Sequence, residues 1–108
     1  PSEPQKRLMD RTIVPNTLNS VTPMLFQGAA NNLQLILNMG AITTTPPAFQ
    51  IEGSEDGVNW YAVGTPLTAV ASSTVEVTVP KSATFARARV STAGVGATLG
   101  YVSLKAWS

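Results

Sequence analysis

Apolar and polar residues alternate at period two in several short segments of the chain, and no segment keeps an i, i+3, i+4, i+7 apolar stripe. Leu33, Leu35, Leu37 and Met39 alternate with Gln34, Ile36 and Asn38, the pattern of a half-buried strand. Val75, Val77 and Val79 do the same against Thr74, Glu76 and Thr78, and Pro80 ends that run. Ala86, Ala88 and Val90 alternate with Phe85, Arg87 and Arg89, and 98–107 forms a longer final run. Weaker strand signals sit at 12–14, 24–27, 48–52 and 60–63. About eight short strands with frequent β-branched residues predict an all-β, single-domain antiparallel sandwich. Jelly-roll-like and immunoglobulin-like arrangements both suit it; the Cys-Trp-Cys pattern usual in immunoglobulin domains is absent, as it is in related sandwiches, and a jelly-roll-like sandwich is expected.

The 108 residues suffice for one modest core, and no internal repeat is present. Charge is unevenly placed. Thr12 to Ile51 contains no Asp, Glu, Lys or Arg, while residues 1–11 hold Glu3, Lys6, Arg7, Asp10 and Arg11. With Pro1 and Pro4, that first segment reads as an extended N-terminal arm (1–11) outside a sandwich domain at 12–108. The uncharged stretch is broken up by Asn and Gln and has no apolar run long enough to span a bilayer. A surface kept polar without charge suits a protein packed against partners. It also lacks self-repulsion, so a homo-oligomer, a dimer or trimer, is expected. Thr43-Thr44-Thr45-Pro46-Pro47 reads as a stiff loop.

Function classes narrow quickly. The chain has no Cys and no His, which removes disulfides, thiolate and imidazole chemistry and the usual zinc sites, and leaves the redox compartment undetermined. A net charge of +1 gives no electrostatic footprint for nucleic acid. The N-terminus has no signal-peptide pattern, and Pro1 fits removal of an initiator Met, so the chain reads as complete and mature. Six carboxylates (Glu3, Asp10, Glu52, Glu55, Asp56, Glu76) form no recognisable catalytic pair, no Ser or Thr has a His to activate it, and Gly94-Val95-Gly96 lacks the context of a phosphate loop. No enzyme and no cofactor is expected. Glu52, Glu55 and Asp56 offer oxygen ligands for Ca²⁺ but lack a full loop spacing, so no metal is expected.

The most specific local signal is the run 49–60, FQIEGSEDGVNW. A strand leads into a tight turn at Asp56-Gly57, with Trp60 expected to cover the end of the core. Gln50-x-Glu52-Gly53-Ser54-x-Asp56-Gly57-x-x-Trp60, the strand Phe85-Ala86-Arg87-Ala88-Arg89-Val90 and a closing strand rich in Gly, Tyr and Leu resemble small virion proteins of tailed bacteriophages. The resemblance covers roughly 48–108 and implies a head decoration (cement) protein on the capsid exterior, made in the host cytoplasm and partnered by the major capsid protein. A tail, neck or baseplate component is the first alternative. The same hairpin and strand are also similar to discoidin-type carbohydrate-binding sandwiches, the second alternative. Neither nucleic acid nor membrane is expected as a partner. Because charge is scarce, Lys6, Arg7 and Arg11 in the arm and Arg87 and Arg89 on one strand face are the expected partner contacts.

Overall fold

A nested series of hairpins organises the chain. The computed structural model describes residues 6–28, 30–81 and 83–107, with the backbone alone for 6–11. Among these lie eight strands: β1 (Lys6–Thr12), β2 (Leu25–Phe26), β3 (Asn32–Thr45), β4 (Ala48–Ser54), β5 (Tyr61–Thr68), β6 (Thr74–Val79), β7 (Phe85–Thr92) and β8 (Val95–Trp107). β4 pairs with β5, β3 with β6, β2 with β7 and β1 with β8, all antiparallel, so the chain doubles back on itself about the β4–β5 turn. Rolling that long ribbon up adds the pairs β3·β8 and β4·β7. The result is two four-stranded sheets of order β1-β8-β3-β6 and β2-β7-β4-β5. This is a jelly roll, a closed sandwich that leaves only four short edges.

The alternation decides which side of each strand is buried. On β3, Leu33, Leu35 and Leu37 are wholly buried and lie opposite Ala106, Leu104 and Val102 of β8 and Val79, Val77 and Val75 of β6. The second sheet contributes Phe49, Ile51, Val63, Ala86, Ala88 and Val90 to the same core. The long bulky side chains of β4 pair across the ladder with smaller ones on β7, Phe49 with Val90 and Ile51 with Ala88. β3 runs through its threonines to Thr45, so the link to the other sheet is Pro46-Pro47 alone, and Pro47 is fully buried. Three peptide steps from Thr45 to Ala48 reach at most about 10 Å, close to the spacing of packed sheets.

Two buried glutamines hold the irregular places. On β5, residues 64–66 stand opposite Gln50 alone, because the register slips between Phe49↔Leu67 and Ile51↔Val63. Gln50 fills this bulge, its Nε2 donating to the carbonyls of Ile51, Val63 and Gly64 at 2.9, 3.0 and 3.2 Å. Gly64 takes φ 71° within the bulge. Gln27 is wholly buried; its Nε2 donates to Ala30 O at 3.0 Å and to Lys81 O, and its Oε1 accepts from Ala83 N at 3.1 Å. It ties the β2–β3 connection to the segment before β7.

The sequence reading places 1–11 outside the sandwich. The structure instead hydrogen-bonds the backbone of Lys6–Thr12 along β8, as the edge strand of its sheet, so the boundary at residue 12 falls at a strand's end. An edge strand needs only backbone pairing on one side, and charge there hinders edge-to-edge association. The charge-rich composition is therefore compatible with a strand. Residues 1–5 lie outside the described residues.

Candidate partner-binding face

The outer side of β2-β7-β4-β5 carries a cluster of charged side chains near its centre. On β7, Ala86, Ala88 and Val90 point into the core, so Phe85, Arg87 and Arg89 stand on the outer face. The ladder sets Arg87 beside Glu52 and Arg89 beside Gln50. Glu52 sits between the two arginines: Oε1 accepts from Arg87 Nε and Oε2 from Arg89 Nε, each at 2.9 Å. The Glu52 side chain is only 10% exposed, against 21% for Arg87 and 28% for Arg89. A carboxylate this enclosed on an outer sheet face is held there by its two charge-assisted bonds. Arg89 Nη1 also donates to Asn19 Oδ1 at 3.0 Å.

Asn19 reaches this position because 19–22 runs along the free edge of β7. Asn19 N donates to Val90 O, Val90 N to Ser20 O and Thr22 N to Ala88 O, at 2.8–2.9 Å. Thr22 Oγ1 accepts from Ala88 N at 3.0 Å. The pairing of Val21 with Arg89 extends the sheet one row beyond β2.

The hairpin between β4 and β5 supplies the other part of the face. Its loop spans 55–60, longer than the tight turn that Asp56-Gly57 predicts. Ser54 Oγ accepts from the backbone N–H of Asp56 and Gly57 and donates to Asp56 Oδ1. Asp56 Oδ1 also takes the N–H groups of Val58 and Asn59 at 2.8 Å, and its Oδ2 takes Asn59 Nδ2. These donors, the Asn59 N–H foremost, hold the Asp56 carboxyl well below the usual carboxylate range. Gly57 completes the turn at φ 77°. A loop so braced delivers Trp60 to the sheet, where the Arg87 guanidinium carbon lies 4.1 Å from its ring centroid. The expectation that Trp60 covers the core end is therefore corrected: it stacks on an outer-face arginine. Tyr61, one residue on, packs against the core instead.

The three carboxylates considered for Ca²⁺ do not converge. Glu52 belongs to the arginines and Asp56 to its own loop. Glu55 accepts from Thr84 Oγ1 and Tyr61 Oη at 2.9 Å, and these bonds, that of Thr84 first, lower its pKa. Burial, then the bond to Glu55, raises that of Tyr61. Among the described residues no three His, Cys, Asp or Glu cluster as a metal site.

Beside the arginines lies an apolar patch. Met24, Phe26 and Val58 are 53%, 51% and 77% exposed. Phe26 meets Phe85 edge-on, with centroids 5.9 Å apart. A Cβ on Gly57 would lie 3.5 Å from Met24 Sδ and 3.8 Å from the Phe85 ring, so the hairpin tip, Met24 and Phe85 are contiguous. On the opposite sheet the outward residues include Gln34, Ile36 and Asn38 of β3, Thr74, Glu76 and Thr78 of β6 and Lys105 of β8.

Arg87 and Arg89 thus share one built cluster, whereas Lys6, Arg7 and Arg11 lie on β1 at the edge of the other sheet, their side chains outside the described residues. Glu52, Asn19, Met24 and Phe26 were missed as members of the face. Glu52 could have been found from its outward parity on β4, opposite an Arg-x-Arg strand. No family model, no curated protein and no solved structure matches the chain.

Proposed function

We propose that this chain is a non-enzymatic structural protein of a bacteriophage particle, a decoration protein that binds the capsid exterior and bridges major capsid subunits, as a dimer or trimer. One observation carries the reading: the two segments on which the phage resemblance rests, the 54–60 hairpin and the Arg-x-Arg strand, meet as one physical unit. The hairpin places Trp60 on Arg87, and Glu52 joins Arg87 to Arg89. The unit sits on a jelly roll, an architecture used by capsid and lectin domains alike, so the fold is compatible with this role without specifying it.

Such a protein works by spreading load. Each copy would bury about 800 Å² per partner in a standard specific interface, and many fixed copies on one shell reinforce it by multivalency. A tail or baseplate component would use the same kind of face. The sugar-binding alternative is less well served, because Phe26 and Phe85 meet at 63° and Trp60 is stacked on an arginine, leaving no flat multi-ring platform among these residues. The test is to add the purified chain to phage shells assembled without it. Saturable binding and a higher temperature of shell rupture are expected. Shells equally robust with and without the chain would contradict reinforcement.

A further inference from the structure

We propose that the outer face of β2-β7-β4-β5 docks an acidic protein segment, its carboxylate taken by Arg87 and Arg89 and its apolar flank laid on Met24, Phe26 and Val58. This rests on the decoration reading and names the face and the partner's chemistry. Two guanidinium groups share the single Glu52 carboxylate, so these three side chains keep one positive charge, while the Asp56 carboxylate of the adjoining hairpin is turned to its own loop donors from Ser54, Val58 and Asn59. Each arginine uses its Nε on Glu52, and only Arg89 spends a further N–H, on Asn19. Among the described residues no acceptor meets the terminal nitrogens of Arg87. A guanidinium has five N–H donors in a fixed fork that matches a carboxylate.

Both side chains are already ordered, Arg87 between Trp60 and Glu52 and Arg89 between Glu52 and Asn19. An incoming carboxylate therefore meets donors that have lost their rotamer freedom beforehand. Arg, Met and aromatic residues are the types enriched where protein interfaces are tightest. On the opposite sheet only Val95, at the start of β8, counts among the exposed large apolar residues described.

Charge also sorts the occupants. A second copy whose two-fold axis passed through the cluster would set arginine against arginine. Nucleic acid would require a broader basic surface than two half-neutralised arginines. An acidic, apolar-flanked segment satisfies both the residual charge and the exposed patch.

The test uses the full chain against immobilised peptides of one length: acidic residues alternating with Leu and Phe, the same peptide with Gln for each acid, and the same with Lys. A single-stranded oligonucleotide is included, and shells lacking the chain are assayed in parallel. The acidic peptide should bind at least about tenfold more tightly than the Gln peptide, a difference of about 1.4 kcal/mol. Arg87→Gln/Arg89→Gln should remove that preference, and Met24→Ser/Phe26→Ser should weaken the acidic and the Gln peptide alike by at least about tenfold (about 1.4 kcal/mol). Because Phe26 also packs edge-on against Phe85, far-UV circular dichroism and thermal unfolding of each variant show that its fold is kept before its binding is read. Thr78→Lys, on the opposite sheet, should leave binding within about twofold of wild type (about 0.4 kcal/mol). Equal binding of the three peptides, preference for the oligonucleotide, or as large a loss from Thr78→Lys would overturn the proposal. So would undiminished shell binding by both double variants. Wild-type protein that prefers the acidic peptide yet ignores shells would overturn the decoration reading and leave the face assignment standing.

Discussion

Replacing Glu52 with Gln keeps the side chain's size and removes its charge, which isolates what the carboxylate does between the two arginines. Glu52 accepts two charge-assisted bonds at 2.9 Å while only 10% exposed. Such bonds contribute about 1.5–3 kcal/mol each, so the gross loss is about 3–6 kcal/mol. Two effects reduce it. The guanidinium groups, 21% and 28% exposed, regain water, and the Gln oxygen still accepts from one of them. Removing one partner of a fully buried pair costs about 3–5 kcal/mol; for this partly solvated cluster we expect about 2 kcal/mol. In urea, with a slope between about 1 and 3 kcal/mol/M for small domains, the midpoint should fall by about 1 M. Unfolding is followed by far-UV circular dichroism, since the change at Glu52 disturbs the Trp60 environment directly. A loss below about 0.5 kcal/mol, the range of ordinary surface substitutions, would show that the cluster contributes little to stability. A double-mutant cycle with Arg87→Gln should then return no coupling.

Gln27→Leu should destabilise the fold by about 2–4 kcal/mol, because the buried Ala83 N–H loses its acceptor and the Ala30 and Lys81 carbonyls lose a donor, with part returned by the apolar side chain. Thermal unfolding should fall by roughly 10 °C or more at about 4 °C per kcal/mol for a domain this size, and a shift below about 3 °C would contradict that role. Asp56 has a depressed carboxyl pKa, so its contribution is complete above the unfolded value of about 3.9 and is lost as pH falls through the lower folded value. Asp56→Asn should therefore be less stable than wild type at neutral pH and converge with it at low pH. A gap that persists unchanged below about pH 2 would contradict the assignment.

How much of this was legible in the sequence depends on how far apart the interacting residues lie. β3, β6 and β7 were readable because period-two alternation is local, and the eight-strand sandwich followed from it. β5 was cut short at 63 because Gly64 and Pro66 break the alternation; the strand continues only because Gln50, from the neighbouring strand, satisfies the bulge carbonyls. Residues 1–11 read as an arm because their charge, with Pro1 and Pro4, mimics an exposed tail, while the backbone pairing that makes Lys6–Thr12 a strand comes from β8, at the other end of the chain. Arg87 and Arg89 were visible as outward residues, but Glu52 lies 35 and 37 positions away, so its outward parity points to them only once β4 is known to pair with β7. The Ser54–Trp60 hairpin stood out as a pattern, yet its purpose depended on where the ring lands. No periodicity shows that Trp60 comes to rest on Arg87.

The most direct measurement of the central claim is an image reconstruction, by electron cryomicroscopy, of phage particles assembled with this chain. The account predicts density for the jelly roll on the outer surface of the head, in copies that each touch at least two capsid subunits, with β7 and the 54–60 hairpin turned towards the shell. Density confined to the tail or baseplate would contradict capsid decoration, and particles without such density would contradict a virion role altogether.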